Sequence, residues 1–321
     1  MTSLPYFPDL DSIGSDVDML AEIQRLRTAK NVLILAHYYQ ESVVQDLADF
    51  VGDSLQLAQS AQKTKAEVIL FCGVHFMAET AKILNPNSTV VIPDLSAGCS
   101  LADRCSDLVF QNWLKDYPDH AVISYINCSA GVKALSDIIC TSSNAVRVVN
   151  SISPEKKIVF APDRHLGKWA SQKTGRDMVL FPNSCIVHDQ FTPSKVRELK
   201  ARYPVAKFLT HPECSASVTS RADFVGSTAA MLNFVATDSA KVFIIGTEAG
   251  ILYQMSKVRP DAEFLSIPVD SSGSCPLCPY MRLNTVEKIY LALRDLKPEI
   301  TLDETLCQKA LKPLQKMLAL G

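Results

Sequence analysis

The chain of 321 residues has almost no net charge: 32 Lys+Arg oppose 34 Asp+Glu, a formal −2 at pH 7. Such a balance does not suggest the strongly basic face on which a polyanion-binding protein relies. Long apolar runs are also missing. The longest stretch without a charged residue, 224–237, holds 14 residues, short of the roughly 18 that cross a bilayer. The opening MTSLPYFPDLDSIGSDVD is acidic and carries two prolines, with neither the basic start nor the apolar run of a secretory signal, so a cytosolic address is expected. No GxGxxG and no P-loop occurs, which removes the usual support for nucleotide binding. One CxxC is present, Cys275-Pro-Leu-Cys278, but no second one that would complete a Cys₄ zinc site. Low-complexity segments and Ser/Gly linkers are absent, so the parts of the chain should dock tightly.

What is present points to a large packed protein. With 47% hydrophobic residues and a length beyond what one core usually fills, two or three domains are expected. The ten cysteines, Cys72, Cys99, Cys105, Cys128, Cys140, Cys185, Cys214, Cys275, Cys278 and Cys307, sit in a chain too large to need a disulfide framework, so some thiols are available to bind metal. Apolar β-rich runs such as VLILAHYY, VILFCGVHF, AVISYINCS and KVFIIGTEAG recur, nine in all, and read as buried parallel strands. Helical stretches lie between them. In 16–30, Met19, Leu20, Ile23 and Leu26 share a face, and Ser15 with Asp18 resembles a capping box. The alternation predicts an α/β architecture.

An internal repeat refines this. Asp49-Phe-Val-Gly-Asp-Ser54, Asp137-Ile-Ile-Cys-Thr-Ser142 and Asp223-Phe-Val-Gly-Ser-Thr228 align without gaps at offsets of 88 and 86 residues. Seventeen residues before each hydroxyl stand His37, Tyr125 and His211, each closing an apolar run, and two residues after those stand Tyr39, Asn127 and Glu213. A second run in each unit ends in a polar loop, at 73–75, 162–164 and 246–248, and a third leads to a cysteine: Cys99, Cys185, and either Cys275 or Cys278. The period is domain-sized. The expected fold is therefore three small α/β units about a pseudo-threefold axis, each a parallel sheet flanked by helices, with the active site at the centre. The units are placed at 1–105, 106–192 and 193–280, with the helical tail 281–321 packing back on the first.

Ligands gather beyond the carboxyl ends of parallel strands, where all these polar residues fall. Three units facing one axis would each deliver one thiolate. A [4Fe-4S] cube viewed down a body diagonal has that symmetry, and three cysteines would leave its fourth iron open as a Lewis acid. A single cysteine is more often a small buried hydrophobe, the reading that suits Cys72, Cys128, Cys140 and Cys307. Ser54, Ser142 and Thr228, at predicted helix starts, can act as N-caps and can bind carboxylate or phosphate together with free N–H groups. Tyr39 and Glu213 could serve as acid and base if a dry cavity moves their pKa values toward neutrality. Arg164, Lys168 and Arg282 read as solvated surface charges. Two other classes fit the same residues: a zinc-stabilised small-molecule binding protein, and a cluster-free α/β phosphosugar enzyme.

The motifs LAHYYQ (35–40), DFVGDSLQLA (49–58), FMAETAKILNP (76–86), CTSSNAV (140–146), PDRHLG (162–167), HPEC (211–214), DFVGST (223–228), GTEAG (246–250) and CPYMRLNT (278–285) resemble those of quinolinate synthase, the iron-sulfur enzyme family of de novo NAD biosynthesis, over nearly the whole chain. The resemblance implies condensation of iminoaspartate with dihydroxyacetone phosphate to quinolinate, phosphate and water, with a transient partner that supplies the unstable imine. It implies cluster ligands at Cys99, Cys185 and Cys278. Site residues would be His37, Tyr39, Ser54, Tyr125, Asn127, Ser142, His188, His211, Glu213, Ser227 and Thr228, with Tyr39, Glu213 and His37 in catalytic roles. Cys278 is preferred to Cys275 by the register of the Met-Arg-x-Asn-Thr that follows it, while a competing Cys275–Cys278 disulfide stays open.

Overall fold

The computed structural model describes residues 8–15, 17–269 and 273–321. Its strands form three four-stranded sheets, all parallel. The first contains β1 (Val32–His37), β2 (Phe50–Gly52), β3 (Val68–Cys72) and β4 (Thr89–Val91) in the order β2-β1-β3-β4. The second repeats that order with β5 (Ala121–Tyr125), β6 (Ile138–Cys140), β7 (Ile158–Ala161) and β8 (Met178–Leu180). The third does so with β9 (Lys207–Thr210), β10 (Phe224–Val225), β11 (Val242–Gly246) and β12 (Glu263–Ser266). Helices cover the sheet faces, which is why the inner strands are apolar at nearly every position rather than alternating.

The repeat found in the sequence now has a structural cause. The carboxylates of Asp49, Asp137 and Asp223 accept the main-chain N–H groups of Ile34, Val122 and Phe208 at 2.8, 2.9 and 2.7 Å. The N–H of each aspartate donates back to the carbonyl of the same strand residue, at 2.9, 2.9 and 2.8 Å. Each Asp thus pins the chain beside the first strand of its unit and starts the edge strand that follows. Those edge strands, β2, β6 and β10, escape a reading based on apolar runs because they are only two or three residues long.

The first helix is shorter at its start than its periodicity suggests. It spans Met19–Ala29, and Asp18 is its N-cap, accepting from Ala21 N–H at 3.1 Å. Asp16, within the expected helix, lies outside the described residues.

The tail divides, which corrects the expectation that all of it packs on the first unit. Helix Val286–Asp295 does lie on helix Met19–Ala29 and β3, burying Ile289 and Leu293. Helix Glu304–Ala319 lies mainly on helix Ala130–Ala134 and β6 of the second sheet, with a smaller contact to helices of the first. Its apolar stripe, Ala310, Leu314 and Met317, completes a core shared by both sheets. Polar contacts hold it there: Lys316 Nζ donates to Asp137 O at 2.8 Å, and Arg147 donates to the carbonyls of Leu320 and Gly321. Among the described residues no helix is long and apolar enough to cross a membrane.

Candidate active site

The carboxyl ends of the three sheets face a common cavity. The first strand of each unit delivers a pair. His37 ends β1 and Tyr39 lies just beyond it, Tyr125 ends β5 and Asn127 lies just beyond it, and His211 and Glu213 follow β9; all six line the cavity. Two of these pairs share a local device. The main-chain N–H of Tyr39 donates to His37 Nδ1 at 3.1 Å, and that of Glu213 donates to His211 Nδ1 at 3.3 Å. A main-chain N–H can only donate, so Nδ1 is the acceptor and the ring proton of the neutral imidazole sits on Nε2. Burial lowers both histidines to about 3, which keeps them neutral.

Glu213 lies at the centre of a hydrogen-bond network. Its carboxylate is 2.9 Å from His188 Nδ1, and the Tyr125 hydroxyl also bonds to it. Burial pushes this carboxyl up, but the His188 and His211 imidazoles and the Tyr125 hydroxyl more than offset that and hold it at about 2. Burial, with the negative charge of Glu213, pushes the Tyr39 and Tyr125 phenols well above the usual tyrosine range. The expectation that a dry cavity would draw Tyr39 and Glu213 toward neutrality is therefore corrected: the two move apart, leaving a protonated phenol and an ionised carboxylate. Thr247 joins the two sides of the site, its Oγ1 lying 2.6 Å from the Tyr39 hydroxyl and 2.9 Å from His188 Nε2.

The repeat hydroxyls Ser54, Ser142 and Thr228 line the cavity as well, but not as N-caps. In the first and third units the cap is the residue before them. Asp53 accepts from Gln56 N–H in a capping box, and Ser227 accepts from Ala230 N–H. In the second unit, Thr141 opens the turn and the regular helix begins only at Ala145, after the N-cap Asn144. With the caps taken by Asp53 and Ser227, Ser54 and Thr228 sit beside the first free N–H groups of their helices, while Ser142 lies in the turn before its helix; all three line the cavity. Ser227 is not among the lining residues. Its hydroxyl accepts from Ser143 at 2.7 Å, and Ser143 Oγ lies 2.6 Å from Asp53, so residues of all three units meet there.

Cys99, Cys185 and Cys278 line the same cavity. One backbone hydrogen bond shows that they are equivalent: His75 N–H to Ala97 O at 2.7 Å, Arg164 N–H to Asn183 O at 2.9 Å and Ala249 N–H to Pro276 O at 3.1 Å. In each unit the cysteine is two residues beyond that carbonyl, a register that selects Cys278 and not Cys275. Cys275 is exposed, and both are free thiols.

The donor set suits a soft metal group. Burial pushes the thiols up, Cys99 to about 12, Cys278 to about 11 and Cys185 well above its ordinary value. Among the described residues no lysine or arginine lines the cavity to hold a thiolate instead. Cys185, His188 and Glu213 also place ligand atoms within 4.8 Å of one another, close enough to hold a metal ion. In addition, Asn127 Oδ1 is buried without a hydrogen-bond partner.

Several participants were not singled out as site residues. Asp53, Ser143 and Thr247 act through contacts between units that no local spacing reveals. Arg282, read from sequence as a solvated charge, instead pairs at 2.7 Å with Glu248, which is fully buried. Arg164 is half exposed, as a surface charge would be.

Three parallel α/β units that bring thiols, a carboxylate, imidazoles and phenols to one cavity define an enzyme site. Residues 21–319 match the family described as Quinolinate synthetase A protein, and the chain belongs to that family. It is 56% identical over 304 residues to a protein named Quinolinate synthase from Microcystis aeruginosa, covering 95% of each chain. The protein of the same name from Synechocystis is 54% identical over 95% of this chain and 96% of its own, and that from Chloroherpeton thalassium 53% over 96% of each.

Proposed function

We propose that the chain is a quinolinate synthase that condenses iminoaspartate with dihydroxyacetone phosphate to give quinolinate, phosphate and water, with a [4Fe-4S] cluster held by Cys99, Cys185 and Cys278. The observation that carries this reading is the meeting of three equivalent cysteines in one cavity of a chain more than half identical to proteins of that name. When bound through three thiolates, such a cluster supplies a Lewis acid at its open iron.

The remaining roles belong to the protein. Both substrates are anionic, and the groups that receive them are uncharged donors: the hydroxyls of Ser54, Ser142 and Thr228, the nearby main-chain N–H groups, and Nε2–H of His37 and His211. Ser227 contributes by capping the helix that carries Thr228. Ionised Glu213, oriented by His188, accepts the proton that must leave carbon as the ring forms, while the Tyr39 hydroxyl, fixed by Thr247, donates to a departing oxygen. Tyr125 holds Glu213, and the free Oδ1 of Asn127 accepts from a substrate amine or hydroxyl. Positioning of two reactants in this way can supply several kcal/mol of the barrier reduction, roughly 7–11 in well-oriented systems.

Iminoaspartate hydrolyses in water, so the enzyme that makes it is expected to act as a transient partner. Ten free thiols support a reducing, cytosolic address. The unit boundaries we propose are 105, 192 and 280.

Anaerobic purification tests the whole reading. The expected product is a brown protein with about four irons and four sulfides per chain that forms quinolinate from the two substrates. Colourless, iron-free protein with full activity would refute it.

A further inference from the structure

The residue that precedes the equivalent His75, Arg164 and Ala249 is Val74 in the first unit, Asp163 in the second and Glu248 in the third. Two of these three matched positions therefore carry carboxylates, and both are completely buried. The Glu248 side chain reaches the cysteine loop of its own unit. Glu248 Oε1 accepts the main-chain N–H of Cys278 at 3.2 Å, and its Oε2 accepts Gly250 N–H at 2.6 Å. Asp163 Oδ1 caps helix Arg164–Thr174 through Leu166 N–H at 2.7 Å, and its Oδ2 has no hydrogen-bond partner. Val74, opposite Cys99, has no acceptor to offer.

A buried carboxylate is expensive unless its oxygens are used. Glu248 meets that condition: Arg282 partners it, and both of its oxygens accept main-chain N–H groups, one of them the amide of a cavity cysteine.

We infer that Glu248 is a positioning residue that fixes Cys278 by its main-chain amide, so that one of the three sulfurs is held in place before the metal group arrives. This rests on the cysteine-ligand reading above. Groups that orient metal ligands from behind typically govern affinity by about 10–100-fold, and the effect here is on how firmly iron is retained.

The test measures iron release rather than turnover. Holoenzyme purified without oxygen is mixed with a ferrous chelator, and the rate of iron extraction is followed alongside thermal unfolding. Glu248→Ala should release iron about 10–100-fold faster than the parent. Glu248→Gln keeps an oxygen that accepts the cysteine N–H, so it should retain iron at close to the parent rate, and it remains informative if the alanine variant folds poorly. Parent-like extraction from Glu248→Ala overturns the inference, as does a Glu248→Gln variant that releases iron as fast as an alanine variant of equal thermal stability. Parent protein that holds no iron under these conditions removes the cluster reading itself, a separate failure seen before any variant is compared.

Discussion

The Tyr39 hydroxyl lies 2.6 Å from Thr247 Oγ1, joining a loop of the first unit to one of the third. The same oxygen meets His188 Nε2 at 2.9 Å. Thr247→Val preserves shape but removes that oxygen, leaving a buried phenol and imidazole short of a partner. We expect a loss of about 1–3 kcal/mol in chemical denaturation together with a lower kcat. Unchanged stability would show that the two groups find other partners.

Tyr39→Phe and Glu213→Gln separate the acid from the base. With the cluster intact by absorbance, single-turnover rates should fall by about 10²–10⁴-fold in each. Wild-type rates would dismiss both proton roles.

The matched backbone hydrogen bonds distinguish the two cysteines of the CxxC. Cys99→Ser, Cys185→Ser and Cys278→Ser should each lose iron on anaerobic metal analysis, while Cys275→Ser, altering an exposed thiol, should keep it. Iron loss from Cys275→Ser alone would move the third ligand.

Acid should destabilise the fold earlier than surface carboxylates would. His37 and His211 are held at about 3 by burial, against 6.5 in the unfolded chain. As pH falls from about 6.5 toward 3, the unfolded state therefore binds protons that the folded state refuses, and stability declines by up to about 1.4 kcal/mol per pH unit for each histidine. Glu213, lowered to about 2 from 4.5, adds a contribution that is present above 4.5 and is lost as pH falls through about 2. Urea denaturation at pH 7.5 and 5.0 checks the first window. The decline should be shallower in His37→Gln, and a flat profile in the parent would refute the assignment of neutral imidazoles.

Gly250 tests the docking of the third unit on the first. A Cβ there would stand 2.8 Å from the main-chain Cα and C of Tyr39 and 2.8 Å from Glu248 Oε2. Gly250→Ala must displace the Tyr39 loop, so we expect a cost of about 1–3 kcal/mol and impaired turnover; wild-type behaviour would show that this interface yields.

Much of the architecture is legible in the sequence because buried parallel strands are apolar throughout and because the Asp-to-hydroxyl repeat is preserved three times. The edge strands were hidden by their length. The caps fall one residue away from the expected hydroxyls because Asp53 and Ser227 compete for the same N–H groups and win. Thr247, Asp163 and Glu248 lie in the polar loops that the repeat marks, but the sequence does not show their partners, which are brought close only by strand order and docking. Arg282 looks like any exposed cation until the partner buried beneath it is seen.

Among the described residues, the lining of the cavity contains neither lysine nor arginine. Anions held only by hydroxyls, amides and neutral rings feel little attraction until they touch, since dipole fields fade much faster with distance than those of fixed cations. Substrate capture therefore depends on chance collision with the mouth rather than guidance from afar, and its rate should change little with ionic strength. For the same reason, a highly charged product meets no fixed positive charge that would delay its departure.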